Sequence, residues 1–384
     1  MDFQPTEEHK MIRRMVRDFA EKEIAPRAEE IDATDEFPDD IFRRMGELGI
    51  IGLPFPEKYG GADFGYTSLV IALEEVARVS GSVAITLDAQ TSLFCEPVYL
   101  FGNEEQKQKY LTPAARGEKI GAFGLTEPQA GSDAGATRTS ALRDEETGEW
   151  IINGQKNFIT NGSIADFAVV TARTDPDPEA GTHGISAFIV EKGTPGFETG
   201  RNEKKMGLKG SVTSELFFED CRIPAENLVG VENEGFKQFL TTLDAGRVAI
   251  AAMAVGLAQG AFERSVAYAQ EREQFGRPIA RFQAIQWMIA DMATEIDAAR
   301  LMVNRAAWLR EQGERFTKEA AMAKLFATEM SERVCHKAIQ IHGGYGYVRE
   351  YEVERMYRDQ RLCQIGEGTN QIQRWVIARQ VMGR

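Results

Sequence analysis

Basic charge is in deficit in this 384-residue chain: 45 Lys and Arg face 59 Asp and Glu, for a formal net charge of -14 and a pI near 5.0. Nucleic acid is thereby disfavoured as a partner, because phosphate binding needs clustered cations. Histidine is scarce; His9, His183, His336 and His342 include no pair at the spacing of a helical metal site. Cys95, Cys221, Cys335 and Cys363 are scattered, without Cys-x-x-Cys, so neither a disulfide framework nor a zinc site is indicated. Long hydrophobic runs are missing too. The longest wholly apolar stretch without glycine, Val248 to Val255, is far below the ~18 residues of a membrane span, so no membrane insertion is expected. The start Met-Asp-Phe-Gln-Pro-Thr-Glu-Glu lacks a basic segment followed by an apolar run, so no secretory signal is read and a cytoplasmic location is expected. Gly-x-Gly-x-x-Gly, P-loop, Gly-x-Ser-x-Gly and His-Glu-x-x-His are all absent. A nicotinamide Rossmann enzyme, a kinase, a serine hydrolase and a zinc hydrolase therefore have little support.

What remains, 43% hydrophobic and 27% charged, describes an ordinary soluble globular protein of about two or three domains. Up to residue 117 the pattern is helical: Met11, Met15, Val16 and Phe19 recur at three- and four-residue steps, as do Leu69, Leu73, Val76 and Ala77. From 118 to 230 the texture becomes short β-like runs: 122–125, 150–152, 158–160, 167–171, 185–190 and 216–218. Asn153-Gly154 between two of them predicts a hairpin turn. From 231 to 384 the helical period returns, with Phe236, Leu240, Leu243, Ile250, Ala254 and Leu257 on one stripe. Phe282, Ile285, Ile289, Met292, Ile296, Ala299 and Val303 form another, which suggests an antiparallel bundle.

Six stretches could carry chemistry. Near the C-terminus Glu367 sits between Gly366 and Gly368, where the backbone can turn sharply and admit a ligand. Asn370 with Gln373 fits a helix start just after it, which predicts free N–H donors beside the carboxylate; an ordinary solvated turn is the rival reading. Arg247 lies at a core-facing step three residues after Asp244, either as an internal ion pair or as a site for an anionic or thioester ligand. The run 121–136 enters a Gly-rich loop in which Thr126, Gly131 and Ser132 suit a polar cofactor or a plain β-turn. Phe158 and Thr160 offer an aromatic face beside a hydroxyl, although most such phenylalanines are core. Arg272 and Phe275, and the stretch 340–346, have capping and helix-stop readings as rivals.

Together, Leu-Thr-Glu-Pro-x-Ala-Gly-Ser-Asp at 125–133, Phe-Ile-Thr-Asn-Gly at 158–162, Arg-x-x-Phe-Gly at 272–276, Gln-x-x-Gly-Gly-x-Gly at 340–346 and Glu-Gly-Thr at 367–369 resemble the acyl-CoA dehydrogenase family almost end to end. The resemblance implies an N-terminal α-helical domain (1–117), a middle β-barrel-like domain (118–230) and a C-terminal four-helix bundle (231–384). It also implies an FAD enzyme that desaturates an acyl-CoA and passes electrons to an electron-transferring flavoprotein, as a homo-oligomer whose family norm is a tetramer. Carried over by position, Phe123, Leu125, Thr126, Gly131, Ser132, Phe158 and Thr160 surround the flavin, with Thr369 and Gln371 nearby. Arg272, Phe275, Gln283, Gln340, Gly343 and Gly344 reach the cofactor from a neighbouring subunit. Ser132, Asp244 and Arg247 face the thioester, and Glu367 is the general base, its backbone N–H also donating to the thioester carbonyl. Some branches place the base at the position of Gly246, where glycine cannot serve. Many relatives have tyrosine at the position of Gly366, so the acyl group is left open. Oxidases and nitroalkane oxidases of this fold are alternatives, as is a scaffold without turnover. The oxidases usually carry extra C-terminal length, and nitroalkane chemistry uses aspartate.

Overall fold

The computed structural model describes residues 5–383. The N-terminal reading for a secretory leader rests partly on residues 1–4, outside that range.

The chain starts with helices α1 (Glu7–Phe19), α2 (Ala28–Thr34), α3 (Asp39–Glu47), α4 (Gly65–Ala77), α5 (Gly81–Asp88), α6 (Glu96–Phe101), α7 (Glu104–Gln106) and α8 (Thr112–Ala115). Thr6 caps α1 by accepting from the His9 N–H, and Ser80 caps α5 by accepting from Val83. The buried stripe of α1 is Ile12, Val16 and Phe19, whereas Met11 is exposed, so the stripe starts one residue later than its periodicity predicts. Between α5 and α6 the helix continues without a break through π-turns over Ala89–Cys95.

Strands β1 (Gly121–Gly124), β2 (Ser140–Arg143), β3 (Trp150–Thr160), β4 (Phe167–Arg173), β5 (Ile185–Glu191), β6 (Phe197–Thr199), β7 (Thr213–Ile223) and β8 (Leu228–Val229) form one sheet in the order β6-β7-β3-β2-β4-β5-β8, with β1 parallel to β4. The hairpin predicted at Asn153-Gly154 is not there. Both residues lie inside β3, which runs unbroken, and the reversal is made by the residues joining β2 to β3. Asn153 exchanges hydrogen bonds with Asp220, a positive-φ residue at a bulge in β7, and a Cβ at Gly154 would stand 2.6 Å from the Thr139 Cα. Cross-strand closure and close approach, not a turn, explain the dipeptide.

Beyond the sheet come α9 (Gly235–Glu271), the short strands β9 (Glu273–Gln274) and β10 (Arg277–Pro278), then α10 (Gln283–Glu311), α11 (Thr317–His342), α12 (Val353–Gln360) and α13 (Asn370–Val381). α9, α10 and α11 pack on one another, α13 packs on α11, and α4 packs on α9 and α10, so the first and last helical groups share one core. α9 is long and apolar enough to cross a membrane, but 83% of its most apolar window is buried inside the protein. Its stripe also needs correction: Leu240 is exposed and Phe239 is buried instead. Over Ala245–Leu257 the helix is buried on every side, so no single stripe describes it.

Candidate active site

The β side of the site is built by the end of β1 and the end of β3. Phe123, within β1, stacks its ring on Phe239 of α9, ring centroids 4.2 Å apart. The Asn157 N–H donates to the Thr126 carbonyl at 2.8 Å, pinning the loop after β1 to β3. A buried Lys156 reinforces it, bonding Glu127 at 2.7 Å, the Leu125 carbonyl and Thr171. Burial pushes the Lys156 ammonium down to about 8 against the pull of Glu127. A second bulge puts Phe158 at φ +58 and turns its ring out of the sheet, 65% exposed. Among the described residues, the hydroxyls of Thr126, Ser132 and Thr160 form no side-chain hydrogen bond, and a Cβ on Gly131 would meet nothing within 4 Å. An uncovered aromatic face, uncommitted hydroxyls and open space at a glycine fit a planar, hydrogen-bonding cofactor.

The helical side carries the carboxylates. Arg247 donates to Asp244 at 2.6 Å, and Thr317 donates to the other Asp244 oxygen at 2.6 Å. The ion-pair reading therefore stands. Arg247 Nε is nonetheless buried without a partner, so the guanidinium retains an unused donor.

Glu367 occupies a turn of φ +54, outside the usual range for a side chain. Lys324 holds that turn by donating to the Gly368 carbonyl at 3.0 Å and to Asn370, and Gln373 donates to the carbonyls of Glu367 and Gly368. The cap of α13 is Thr369, whose hydroxyl accepts from Ile372; Asn370, expected to cap, is the first helical residue and is buried. The donors expected beside the carboxylate do not reach it. Both Glu367 oxygens are buried and unpartnered, and burial, then the nearby Asp88, hold its pKa well above the usual carboxylate range. Its backbone N–H makes no hydrogen bond to another described residue. The carboxyl lies over α9, where a Cβ on Gly246 would stand 2.2 Å from Glu367 Oε2. A side chain at 246 and this placement of Glu367 exclude each other.

Arg272, Gly343 and Gly344 meet elsewhere, with Tyr268, His342 and Tyr345, around a cavity of ≈ 470 Å³. The Arg272 guanidinium lies 5.3 Å from the Tyr345 ring centroid. Phe275 is 94% exposed at φ +53, and Gln283, Gln340 and Gln371 are exposed too. Arg272 follows Arg247 by roughly 25 residues, about 38 Å at ~1.5 Å per residue, so one chain does not bring the two groups together.

This arrangement can be set against known proteins. The chain matches the acyl-CoA dehydrogenase N-terminal domain over residues 6–118, the middle domain over 122–221 and the C-terminal domain over 233–382. It belongs to the acyl-CoA dehydrogenase family. It is 56% identical to the probable acyl-CoA dehydrogenase YngJ of Bacillus subtilis, with 100% of both chains covered. It is 48% identical to the caffeyl-CoA reductase-Etf complex subunit CarC of Acetobacterium woodii, covering 97% of this chain and 98% of that one. The solved butyryl-CoA dehydrogenase of Megasphaera elsdenii superposes with a TM-score of 0.97 at 44% identity, each chain covered in full. The helical, β and helical parts are those of this family, and the protein is an FAD-dependent acyl-CoA dehydrogenase family enzyme. Sequence reasoning did not single out Asp88, Lys156 or Lys324. For Lys156 a signal existed, since it shares the inward parity of buried Trp150 and Ile152.

Proposed function

We propose that the protein dehydrogenates a saturated acyl-CoA thioester to the trans-2-enoyl-CoA, with Glu367 as the general base. The observation that carries this reading is the Glu367 carboxyl, buried beside Gly246 with neither oxygen satisfied by the protein. A carboxylate in that state is a far stronger base than a solvated one, as abstraction from carbon requires. The Cα–H bond breaks, its proton passes to a Glu367 oxygen, and the electron pair left at Cα forms the double bond as hydride leaves Cβ. FAD, when bound, supplies the acceptor for that hydride. The free N–H of Glu367 donates to the thioester carbonyl, and such a donor is worth roughly 3 kcal/mol to the developing enolate.

Phe123, Leu125, Thr126, Gly131, Ser132, Phe158 and Thr160 would line the flavin ring from the β side, with Thr369 and Gln371 at the helical edge. Ser132 and the Asp244–Arg247 pair would face the CoA ester. Arg272, Phe275, Gln283, Gln340, Gly343 and Gly344 would hold the cofactor of a second subunit, a role supported by the separation of Arg272 from Arg247 along α9 and by the exposed Phe275. The assembly would be a homotetramer in the cytoplasm, with an electron-transferring flavoprotein as acceptor; the relative CarC is itself named as part of an Etf complex. Fatty-acid β-oxidation is the pathway that such a reaction serves.

The test is anaerobic titration of the purified yellow protein with saturated acyl-CoAs of graded length and branching. Bleaching by one chain-length group is the expected result and names the substrate class. A flavin that none of them bleaches would refute the reaction.

A further inference from the structure

Beside Glu367 stands a second carboxyl. Asp88, the last residue of α5, is 0% exposed, and neither of its oxygens meets a hydrogen-bond donor of the protein. The helix changes to π-turns immediately after it, an irregularity frequent at functional sites. Those turns carry Ser92, whose hydroxyl faces Asp88, and Leu93, whose Cδ2 would lie 3.0 Å from a Cβ on Gly246. The Glu367 carboxyl lies against the same glycine, and it and the Asp88 carboxyl are within hydrogen-bonding reach. Two ionised carboxylates are both acceptors, and a hydrogen bond forms between them only when one carries a proton.

We propose that Asp88 is a positioning residue for the base: the Asp88 and Glu367 carboxyls share a single proton, and the hydrogen bond between them orients Glu367 and retains that proton when no ester is bound. The inference rests on the reading of Glu367 as the base. Geometry closes the two carboxyls off from other donors, and electrostatics keeps a proton on the pair. Burial raises Asp88 to about 6, with the neighbouring Glu367 and then Ser92 drawing it back; burial and then the Asp88 charge raise Glu367. One proton is therefore lost from the pair before the other, and the second is held by the two carboxyls together. From the other elements, Lys324 of α11 and Arg247 of α9 favour ionised Glu367 and do not offset burial and Asp88. Around Asp88 stand Tyr66 of α4, whose hydroxyl is committed to the Ala245 carbonyl, and the buried Cys363 thiol, and burial holds both neutral.

A functional consequence follows for each direction of the reaction. Dehydrogenation needs Glu367 to release this proton first, so its rate climbs as pH rises. Reduction of an enoyl thioester needs the proton already in place, because Cα must receive it, and its rate falls along the same limb. Asp88 thus sets the pH at which the enzyme exchanges one direction for the other.

The test is the pH profile of anaerobic flavin bleaching by a saturated acyl-CoA, and of reoxidation by the matching enoyl-CoA, in FAD-loaded wild type, Asp88→Asn and Asp88→Ser. Removing the anionic neighbour is expected to move both limbs toward acid by about 1 pH unit or more. A packing defect would lower the rates without moving the limbs. Thermal unfolding against pH gives a readout independent of turnover: the loss of stability in wild type as pH rises from about 4 to about 6 is expected to shrink in both variants. Limbs that coincide with wild type in FAD-loaded Asp88→Asn and Asp88→Ser would overturn the shared proton while leaving Glu367 as the base. Turnover surviving in Glu367→Gln would instead remove the reading on which the inference rests.

Discussion

Two buried carboxylates in this protein have opposite fates. Glu127, in the loop after β1, accepts from Lys156 at 2.7 Å, Gln129 at 2.6 Å, and the N–H groups of Arg138 at 2.8 Å and Thr139 at 3.1 Å. Glu367 is only partly buried as a residue, but both its carboxyl oxygens are closed off from solvent and accept from nothing. Burial of a charge is costly unless it is paired and hydrogen-bonded. At Glu127 that cost is met and the result is scaffold, a loop locked beside the proposed flavin face. At Glu367 it is left open, as the proposed role of a base requires. Burial alone does not mark the functional group; the missing partner does.

The comparison predicts that the two sites break differently. The largest effect is expected at the unsatisfied one: Glu367→Gln lowers acyl-CoA-dependent flavin reduction by roughly 10²- to 10⁴-fold, measured by stopped flow, with FAD still bound. Its thermal stability at neutral pH is expected to rise, because a carboxyl with a raised folded-state pKa costs stability above its unfolded value. At the satisfied site the effect is on folding. Lys156→Ala leaves Glu127 charged and buried, and urea denaturation is expected to show a loss of about 3–5 kcal/mol.

A smaller change sharpens the contrast. Gly246→Ala places a methyl 2.2 Å from Glu367 Oε2, and a cost of about 1–3 kcal/mol with impaired turnover is expected from denaturation and steady-state rates. The smallest is Thr369→Ala, which removes the α13 cap for ~1 kcal/mol of stability while leaving the Glu367 carboxyl where it is.

For the wild type, pH dependence of stability has a definite sign. Asp88, raised to about 6, keeps a proton that the unfolded chain releases near 3.8. Between those values the folded state binds more protons, so stability falls as pH rises. Unfolding midpoints followed from pH 4 to 7 would show it.

The unsatisfied carboxylate was legible in the sequence, the satisfied one much less so. Glu367 stands out because two glycines and a following helix start are local features that a short window contains. The Asn153-Gly154 dipeptide is local too, yet it misled, because the strand it lies in is fixed by pairing with Asp220 and by Thr139. Asp88 gave no signal in Ile-Thr-Leu-Asp-Ala: its burial comes from packing of α5 against α4, α9 and α12, and its meaning from a residue far along the chain. Lys324 was hidden for the same reason, since its partners Gly368 and Asn370 are more than forty residues away. Residues that act through tertiary neighbours are read only once the neighbours are placed.

The central claim, that Glu367 removes the α-proton, is tested most directly by isotope exchange at Cα. FAD-loaded wild type and Glu367→Gln would be incubated in D2O with an acyl-CoA analogue that has acidic α-hydrogens and no β-hydrogen to transfer, and α-deuteration followed by mass spectrometry or NMR. Exchange catalysed by wild type and abolished in Glu367→Gln is the predicted result. Exchange at the wild-type rate in Glu367→Gln would contradict the account.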